Sequence, residues 1–283
     1  MFTANRKQIL TERLLIGTVA LVLMFSTGMA QAVTFAGEFM TSWSGCSCSG
    51  SGLEHTDDQI NQWAGTMRSL GHQQLWVYAN TEAWACDITE DGLGGCDWPY
   101  GDDAGIYAFA GHGYNPTDAN GRMTFTASFC QGGSGGLSCV FDSKNARWGE
   151  RAGGYETPHP GNMRWALMLT CRSVDSDPPN QWNEVFEYGF DYIMGYRGDS
   201  CDSWTTEEVP SDWANSAFGE AKNFSAAWFT AVEDWWCGDT GGVAASGISP
   251  EAARARRDFT NKFVGRRPNS EVHRYIEYAY HSG

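Results

Sequence analysis

The most informative stretch of the chain reads Trp165-Ala166-Leu167-Met168-Leu169-Thr170-Cys171, an apolar run that ends in a cysteine. A second run of the same kind, Gly105-Ile106-Tyr107-Ala108-Phe109-Ala110-Gly111, ends just before His112 and Gly113. Short apolar runs bounded by glycine or polar residues are typical of strands buried on both faces of a sheet. The sequence therefore predicts two core strands, with a thiol at the end of one and an imidazole at the end of the other.

Other segments extend this pattern into an alternation of strands and helices. Residues 33–40, 75–79, 192–196 and 243–245 are predicted strands, and those over 75–79 and 192–196 are expected to be buried on both faces. Helices are predicted from Thr56, over 181–188, over 213–236, and from Ser249 to about Phe263. The order of elements predicts an α/β protein, a three-layer sandwich with a mostly parallel central sheet.

The first 32 residues have the pattern of a secretory signal peptide. Three cations precede the apolar stretch 14–25, and Ala30-Gln31-Ala32 offers small residues for cleavage. The stretch is too short to span a bilayer, and no later stretch approaches the ~20 apolar residues required. We expect an exported protein, secreted or periplasmic, with residues 33–283 forming a single domain that has no membrane contact after signal removal.

The charge of the chain argues against a nucleic-acid partner. The formal net charge is -15, and loss of the signal, with three cations and Glu12, would change it to -17. Such a surface repels phosphate backbones and anionic lipids.

Nine cysteines in an exported chain predict disulfides and leave at least one cysteine over. Cys171 is the expected free thiol. The predicted pairs are Cys130–Cys139, Cys86–Cys96 and Cys201–Cys237, with Cys46–Cys48 by elimination. Cysteines two apart bridge only in a strained ring, so distant partners for Cys46 and Cys48 stay open.

A strand-end thiol beside a strand-end imidazole is suited to nucleophilic catalysis. The carboxyl ends of parallel strands meet at one edge of a sheet, where ligands gather. We predict that Cys171 attacks a carbonyl, that His112 acts as general base and acid, and that the amides of Gly113 and Cys171 stabilise the oxyanion. The alternatives for Cys171 are a buried structural thiol and a disulfide partner.

An apolar block ending in His-Gly, followed by one ending in Cys, resembles the motif pair of the caspase-like cysteine peptidases, which include caspases, metacaspases, gingipains, clostripain and legumain. The resemblance implies a caspase-like fold, a dyad of His112 and Cys171 with Gly113 in the oxyanion site, and peptide or protein substrates. It also implies that the strand over 190–198 leads into the substrate pocket. Tyr196, Arg197 and Asp199 are the expected substrate-binding residues, and the choice between acidic and basic substrates stays open.

No cofactor is required by this chemistry, although an acidic loop before His112 offers oxygen ligands for calcium. The candidate ligands are Asp91, Asp97, Asp102 and Asp103, accompanied by Asp87 and Glu90. The alternative is a solvated acidic loop. Cys46, Cys48 and His55 also form a conceivable zinc set, which disulfide formation would remove.

A second functional hypothesis is a catalytically silent caspase-like scaffold that binds protein or glycan through aromatic loops. The loop candidates are Trp43, Trp98, Trp182 and Trp204. A third is a zymogen opened by cleavage between Tyr114 and Asn162. The remaining histidines, namely His55, His72, His159, His273 and His281, are expected at the surface. The serine-hydrolase pattern at 132–136 is interpreted as a hairpin tip.

Overall fold

The computed structural model describes residues 32–117, 121–133, 136–148, 162–175, 181–187, 190–233, 239–258, 273 and 275–282. Residues 32–283 form one structural unit. The predicted export signal lies, except for Ala32, outside the described residues. Among the described residues, no helix is long and apolar enough to cross a membrane.

A seven-stranded sheet is the centre of the fold. The strand order is β10-β9-β8-β7-β3-β1-β2, with β1 Thr34–Phe39, β2 Gln73–Ala79, β3 Ile106–Ala110, β7 Trp165–Leu169, β8 Tyr192–Arg197, β9 Thr240–Gly247 and β10 Tyr275–Ser282. Strands β2, β1, β3, β7 and β8 pair in parallel, whereas β9 runs antiparallel to both its neighbours. The predicted α/β class with a mostly parallel sheet is confirmed.

Helices and a small second sheet cover the two faces. The helices are α1 Thr56–Ser69, α2 Asn183–Glu187, α3 Val209–Ala214, α4 Phe224–Glu233 and α5 Pro250–Arg257, and the small antiparallel sheet contains β4 Gly113–Tyr114, β5 Thr126–Ser128 and β6 Val140–Asp142. Side chains alternate along a strand. Leu167 accordingly packs with α1, α3 and α4 in one core, while Met168 packs with α2 and the small sheet in the other. This is a three-layer arrangement.

Two details of the predicted elements are wrong. Strand β2 is an edge strand, so its central residues are half-buried and not enclosed on both faces. The single helix expected over 213–236 is two helices, because Asn215–Gly219 forms a wider turn and Ala221 adopts φ +55° before α4 begins. The apolar stripe was nevertheless informative, since Trp213, Ala217 and Trp228 share one core.

The disulfide pattern is a further correction. Cys46 pairs with Cys130, and Cys48 pairs with Cys139, so neither the Cys130–Cys139 pair nor the Cys46–Cys48 pair exists. The open alternative of distant partners was the right one. Cys86–Cys96 is confirmed. Cys201 is disulfide-bonded, and its predicted partner Cys237 lies outside the described residues.

Candidate active site

The ends of β3 and β7 bring His112 and Cys171 to the same edge of the sheet. The two strands are neighbours, and Ala110 pairs with Leu169 in the last matched position. His112 and Cys171 each lie two residues beyond that pair. The two side chains that the sequence singled out therefore leave adjacent strands at equivalent positions.

Gly113 is in direct contact with the Cys171 turn. A Cβ atom placed on Gly113 would lie 2.4 Å from Thr170 Oγ1 and 2.7 Å from the Cys171 carbonyl oxygen. Real Cβ atoms do not approach other atoms this closely, so only glycine permits the contact. The residue after His112 is thus packed against the backbone of Cys171.

Strand order places this edge beside a topological switch point. From β1 the chain moves to one side to form β2 and then crosses to the other side to form β3. In open parallel sheets such a reversal leaves a crevice at the carboxyl ends of the strands, where ligands bind. His112 follows β3 and therefore lies beside this crevice.

The His112 ring is held by the loop that follows β1. Its Nε2 atom lies 2.9 Å from Ser51 Oγ and 3.0 Å from the Ser51 carbonyl oxygen. A carbonyl oxygen only accepts hydrogen bonds, so Nε2 carries the hydrogen in the neutral ring and Nδ1 has the free lone pair. Trp43 stacks on the imidazole with ring centroids 4.9 Å apart. The imidazole is therefore oriented with Nδ1 able to take a proton.

The thiol of Cys171 is free and partly exposed. Its Sγ atom accepts a hydrogen bond from the Ser200 amide at 3.3 Å and lies 3.8 Å from the Ser200 carbonyl oxygen. No hydrogen bond joins Sγ to His112 among the described residues. Ser200 therefore holds the sulfur through both its amide and its carbonyl oxygen.

The turn that presents Cys171 is strongly constrained. Arg172 has φ +57°, a left-handed conformation that is unfavourable for a residue with a side chain. Its amide donates to the Gly198 carbonyl oxygen at 2.6 Å. Its carbonyl oxygen accepts from Asn115 Nδ2 at 3.0 Å and from Gln181 Nε2 at 2.7 Å. Strain of this kind persists only where surrounding contacts fix it, and it is concentrated at functional sites.

The loop on the histidine side is anchored differently, by contacts with remote segments. The disulfides Cys46–Cys130 and Cys48–Cys139 fasten it to the small sheet. Asn80 Oδ1 accepts from the amides of Thr41 and Ser42 at 2.8 and 2.9 Å. These contacts fix the loop that carries Trp43 and Ser51.

Asp202 connects the two loops. Its carboxylate accepts from the amides of Glu54 at 2.7 Å and His55 at 3.0 Å. Glu54 follows Ser51 by three residues, and Asp202 follows Ser200 by two. The segment that holds the imidazole and the segment that holds the thiol are therefore joined directly.

A family model described as a domain of unknown function, DUF6345, matches residues 40–278, which include both strand ends and most of the sheet. The chain belongs to the DUF6345 family. A crystal structure of caspase-1 from Spodoptera frugiperda is similar to it with a TM-score of 0.42 and 10% identity, over 72% of this chain and 79% of that chain. A search of curated proteins finds no match.

The three expected substrate-binding residues of this DUF6345 chain differ in their exposure to solvent. Tyr196 lies in the core, 2% exposed, with its ring against Trp228, because alternate side chains of β8 face the helix layer. Arg197 is exposed and lies 4.8 Å over the ring of Tyr280. Asp199 is exposed and pairs with Arg172 at 3.2 Å. Of the three, only Arg197 and Asp199 have exposed side chains.

The acidic loop of the DUF6345 domain is partly buried, which the solvated-loop alternative did not anticipate. Asp97 and Asp102 are buried, whereas Asp91 and Asp103 are exposed. Burial, followed by the charges of Asp102, Glu90 and Asp91, raises the pKa of Asp97 well above its usual range. Among the described residues, the four candidate calcium ligands do not bring three ligand atoms within 4.8 Å of one another, and the clusters that do so are His55, Asp58 and Glu207, and Cys86, Asp87 and Cys96. The second cluster contains a disulfide and so offers no thiolate.

For several tryptophan and histidine side chains of the DUF6345 domain, the prediction that they are exposed is wrong. Trp43 and Trp182 are buried, because the first packs on His112 and the second donates to the Ser173 carbonyl oxygen at 2.7 Å. Trp98 and Trp204 are exposed as predicted. His72 and His273 are buried, whereas His55 and His281 are partly exposed. His159 lies outside the described residues.

A buried carboxyl pair of the DUF6345 domain was missed by sequence reasoning. Glu38, on β1, is fully buried and accepts from Tyr107 Oη at 2.5 Å and from the Trp84 amide at 3.2 Å. Burial and the neighbouring Asp87 raise the pKa of Glu38. Burial raises the pKa of Asp87 to about 6. A glutamate inside an otherwise apolar strand was the signal that could have revealed it.

Proposed function

We propose that this protein is an exported cysteine peptidase of caspase-like type, in which Cys171 and His112 form the catalytic dyad. The observation that carries the proposal is the packing of Gly113 against the Cys171 turn, because it brings the backbone of Cys171, whose thiol is free, against the segment that carries the imidazole. The hydrogen bonds from His112 to Ser51 support it further, since they leave Nδ1 as the proton acceptor.

The reaction follows from these positions. Rotation about the Cys171 side chain brings Sγ from Ser200 towards His112, and Nδ1 takes the thiol proton. The sulfur then forms a bond to the carbonyl carbon of a peptide, and the amides of Gly113 and Cys171 donate to the oxyanion. The imidazolium returns the proton to the leaving amine as the C–N bond breaks. Water, deprotonated by His112, hydrolyses the thioester and restores the thiol.

Export and substrate class belong to the same proposal. Three disulfides are typical of extracellular or periplasmic proteins, which agrees with the signal pattern of residues 1–32. Peptide or protein substrates would pass Arg197 and Asp199 at the exit of β8. The Arg172–Asp199 pair is exposed and therefore weak, so a charged substrate side chain can compete for either partner.

The test is peptide turnover by the disulfide-bonded protein with residues 1–32 removed, assayed with a mixed peptide library. Cys171→Ala should reduce turnover to background, and His112→Ala should reduce it by about 10²–10⁴-fold. His281→Ala, a partly exposed histidine on β10, is the matched control and should be unaffected. Equal turnover by the parent protein and Cys171→Ala would contradict the proposal.

A second candidate function, a silent scaffold that binds protein or glycan, is favoured by two observations. The sulfur of Cys171 is hydrogen-bonded to Ser200, with no hydrogen bond to His112 in the described part of the chain, and Trp204 is 72% exposed on the segment that follows. Iodoacetamide labelling near pH 7 separates the candidates. The peptidase requires Cys171 to react faster than a model thiol, and the rate should fall in His112→Ala.

A further inference from the structure

A cluster of metal-ligating side chains lies outside the dyad, where the start of α1 meets the segment before α3. The ligand atoms of His55, Asp58 and Glu207 all lie within 4.8 Å of one another. The nearest two, His55 Nδ1 and Glu207 Oε1, are 2.6 Å apart. About 150 residues separate the two segments, so the tertiary fold and not local sequence assembles the group.

The donor set suits a divalent cation of the zinc type. Zinc binds imidazole nitrogen and carboxylate oxygen at about 2.0–2.2 Å, commonly with three protein ligands and a water molecule. Ligand atoms around one such ion lie about 3–4 Å apart, so small side-chain movements complete the site. His55 and Glu207 are each 22% exposed, which leaves a path for the ion.

The charges around the cluster favour a cation. Asp57 and Asp58 are acidic residues in the first turn of α1, and a carboxylate oxygen of Glu207 lies within 4.8 Å of one of Asp58. Within the described part of the chain, no lysine or arginine forms an ion pair with Asp58 or Glu207. Among the described residues, His55 is therefore the only ion-pair partner of these two carboxylates.

A buried amide next to the cluster provides an independent indication. Gln59 is 4% exposed, and its Oε1 atom has no hydrogen-bond partner among the described residues. Its Nε2 atom donates to Thr206 Oγ1 at 3.0 Å, and Thr206 directly precedes Glu207. A buried carbonyl oxygen without a donor is costly, so the contact between α1 and the segment before α3 contains an acceptor that the described residues leave unsatisfied.

We propose that His55, Asp58 and Glu207 bind one zinc-type divalent cation, which fastens the segment after Ser51 to the segment after Ser200. The cation would strengthen the connection that Asp202 already makes between these segments. The proposal requires no peptidase activity.

The test uses the disulfide-bonded protein carrying Cys171→Ser, so that the dyad thiol cannot act as a ligand. After treatment with EDTA and its removal, zinc binding is measured by calorimetry, and cobalt is used for its visible absorption. We expect one ion per chain and a rise in Tm of about 5 °C when zinc exceeds its Kd about 100-fold. Glu207→Gln and Asp58→Asn should each weaken binding by at least about tenfold, and His55→Ala should remove the cobalt spectrum.

The matched control is His281→Ala, because His281 Nε2 also faces a carboxylate, that of Glu233, at 3.3 Å. It should leave binding unchanged. Glu207→Gln preserves side-chain volume and hydrogen bonding, so a loss of binding there, with unchanged circular dichroism, is not a folding defect. Absence of saturable zinc binding, or equal binding by the parent and Glu207→Gln, would overturn the proposal. Because every measurement is made without the thiol, failure here leaves the peptidase proposal to its own test.

Discussion

The two sides of the proposed dyad are held in place by different means. His112 depends on remote segments, because Trp43 and Ser51 come from a loop that two disulfides attach to the small sheet. Cys171 depends on a tight turn, in which Arg172 and Ser200 are fixed largely by backbone hydrogen bonds next to β8. The histidine side should therefore respond to oxidation state, whereas the thiol side should respond mainly to backbone changes.

Removal of the two disulfides on the histidine side has the largest expected effect. Replacing Cys46, Cys48, Cys130 and Cys139 by alanine opens loops of 84 and 91 residues. The free energy of unfolding should fall by about 7 kcal/mol, because the unfolded chain regains the entropy of one long loop, about 4–5 kcal/mol, and of a second loop that the first bridge makes short, about 2–3 kcal/mol. Urea denaturation measures this change.

The control for this prediction is the Cys86→Ala/Cys96→Ala variant, which opens a loop of only 10 residues and should lose about 2–3 kcal/mol. In the four-cysteine variant, the NMR signals of His112 should shift as Trp43 is released. Equal losses in the two variants would contradict the special role of the loop after β1.

A pH effect of intermediate size is expected from Glu38 and Asp87. Both carboxyls have raised pKa values in the folded protein, so the folded state binds protons more tightly than the unfolded one, whose carboxyls titrate near about 4. The stability they contribute is complete below that pH and is lost as the pH rises through about 6 and above. With Asp87 at about 6, the loss is roughly 2–3 kcal/mol.

Glu38→Gln isolates this effect, because the amide still accepts from Tyr107 while the second carboxylate is removed. Its unfolding free energy should vary less between pH 4 and pH 7 than that of the parent, with the gain in stability appearing at pH 7. Glu82→Gln, on an exposed residue, should leave the profile unchanged. If the parent protein and Glu38→Gln gave superimposable profiles of unfolding free energy against pH, the Glu38–Asp87 pair would not be the source of the pH effect.

Substitution of Gly113 tests the contact between the two sides. Gly113→Ala should destabilise the protein by about 1–3 kcal/mol and lower the alkylation rate of Cys171, since its Cβ would collide with Thr170 and the Cys171 carbonyl. Gly52→Ala is the control, because the nearest atom to its Cβ would be 3.6 Å away. Denaturation measures the unfolding free energy of both variants, and labelling measures the alkylation rate of Cys171. Equal values in the two variants would contradict a constraining contact between Gly113 and the Cys171 turn.

The smallest expected effect lies in the Cys171 turn itself. Arg172→Gly and Arg172→Ala both remove the exposed pair with Asp199, but only glycine adopts φ +57° without a steric penalty. Arg172→Gly should therefore be more stable than Arg172→Ala by about 1 kcal/mol. The reverse order would mean that the turn relaxes when the arginine is removed.

The sequence predicted the strands in the interior of the sheet, since β1, β3, β7 and β8 are largely apolar, with Glu38 of β1 as the buried exception. It also predicted that His112 and Cys171 follow neighbouring strands. It did not predict β10, a half-buried edge strand whose tyrosines, glutamate and histidine give no continuous apolar run. Edge strands leave weaker patterns because one side of their surface meets solvent.

The contacts of the dyad could not be read from local patterns. Ser51 and Ser200 are ordinary polar residues in irregular loops, and only the fold sets them beside His112 and Cys171. Disulfide partners were mispredicted for the same reason: short spacing between Cys130 and Cys139 favours a bridge in an isolated segment, whereas the fold brings to these two sulfurs Cys46 and Cys48, which are 84 and 91 residues away in the sequence.

Two bridges between the same pair of segments also shape how the chain oxidises. In the unfolded chain, the short loop between Cys130 and Cys139 closes most readily, so this non-native pair should form early and later exchange with Cys46 or Cys48. Once either native bridge exists, the remaining two thiols are held near one another and join rapidly. We therefore expect oxidative maturation in which the first correct exchange is slow and the second bond follows almost at once, a process that a disulfide isomerase would accelerate.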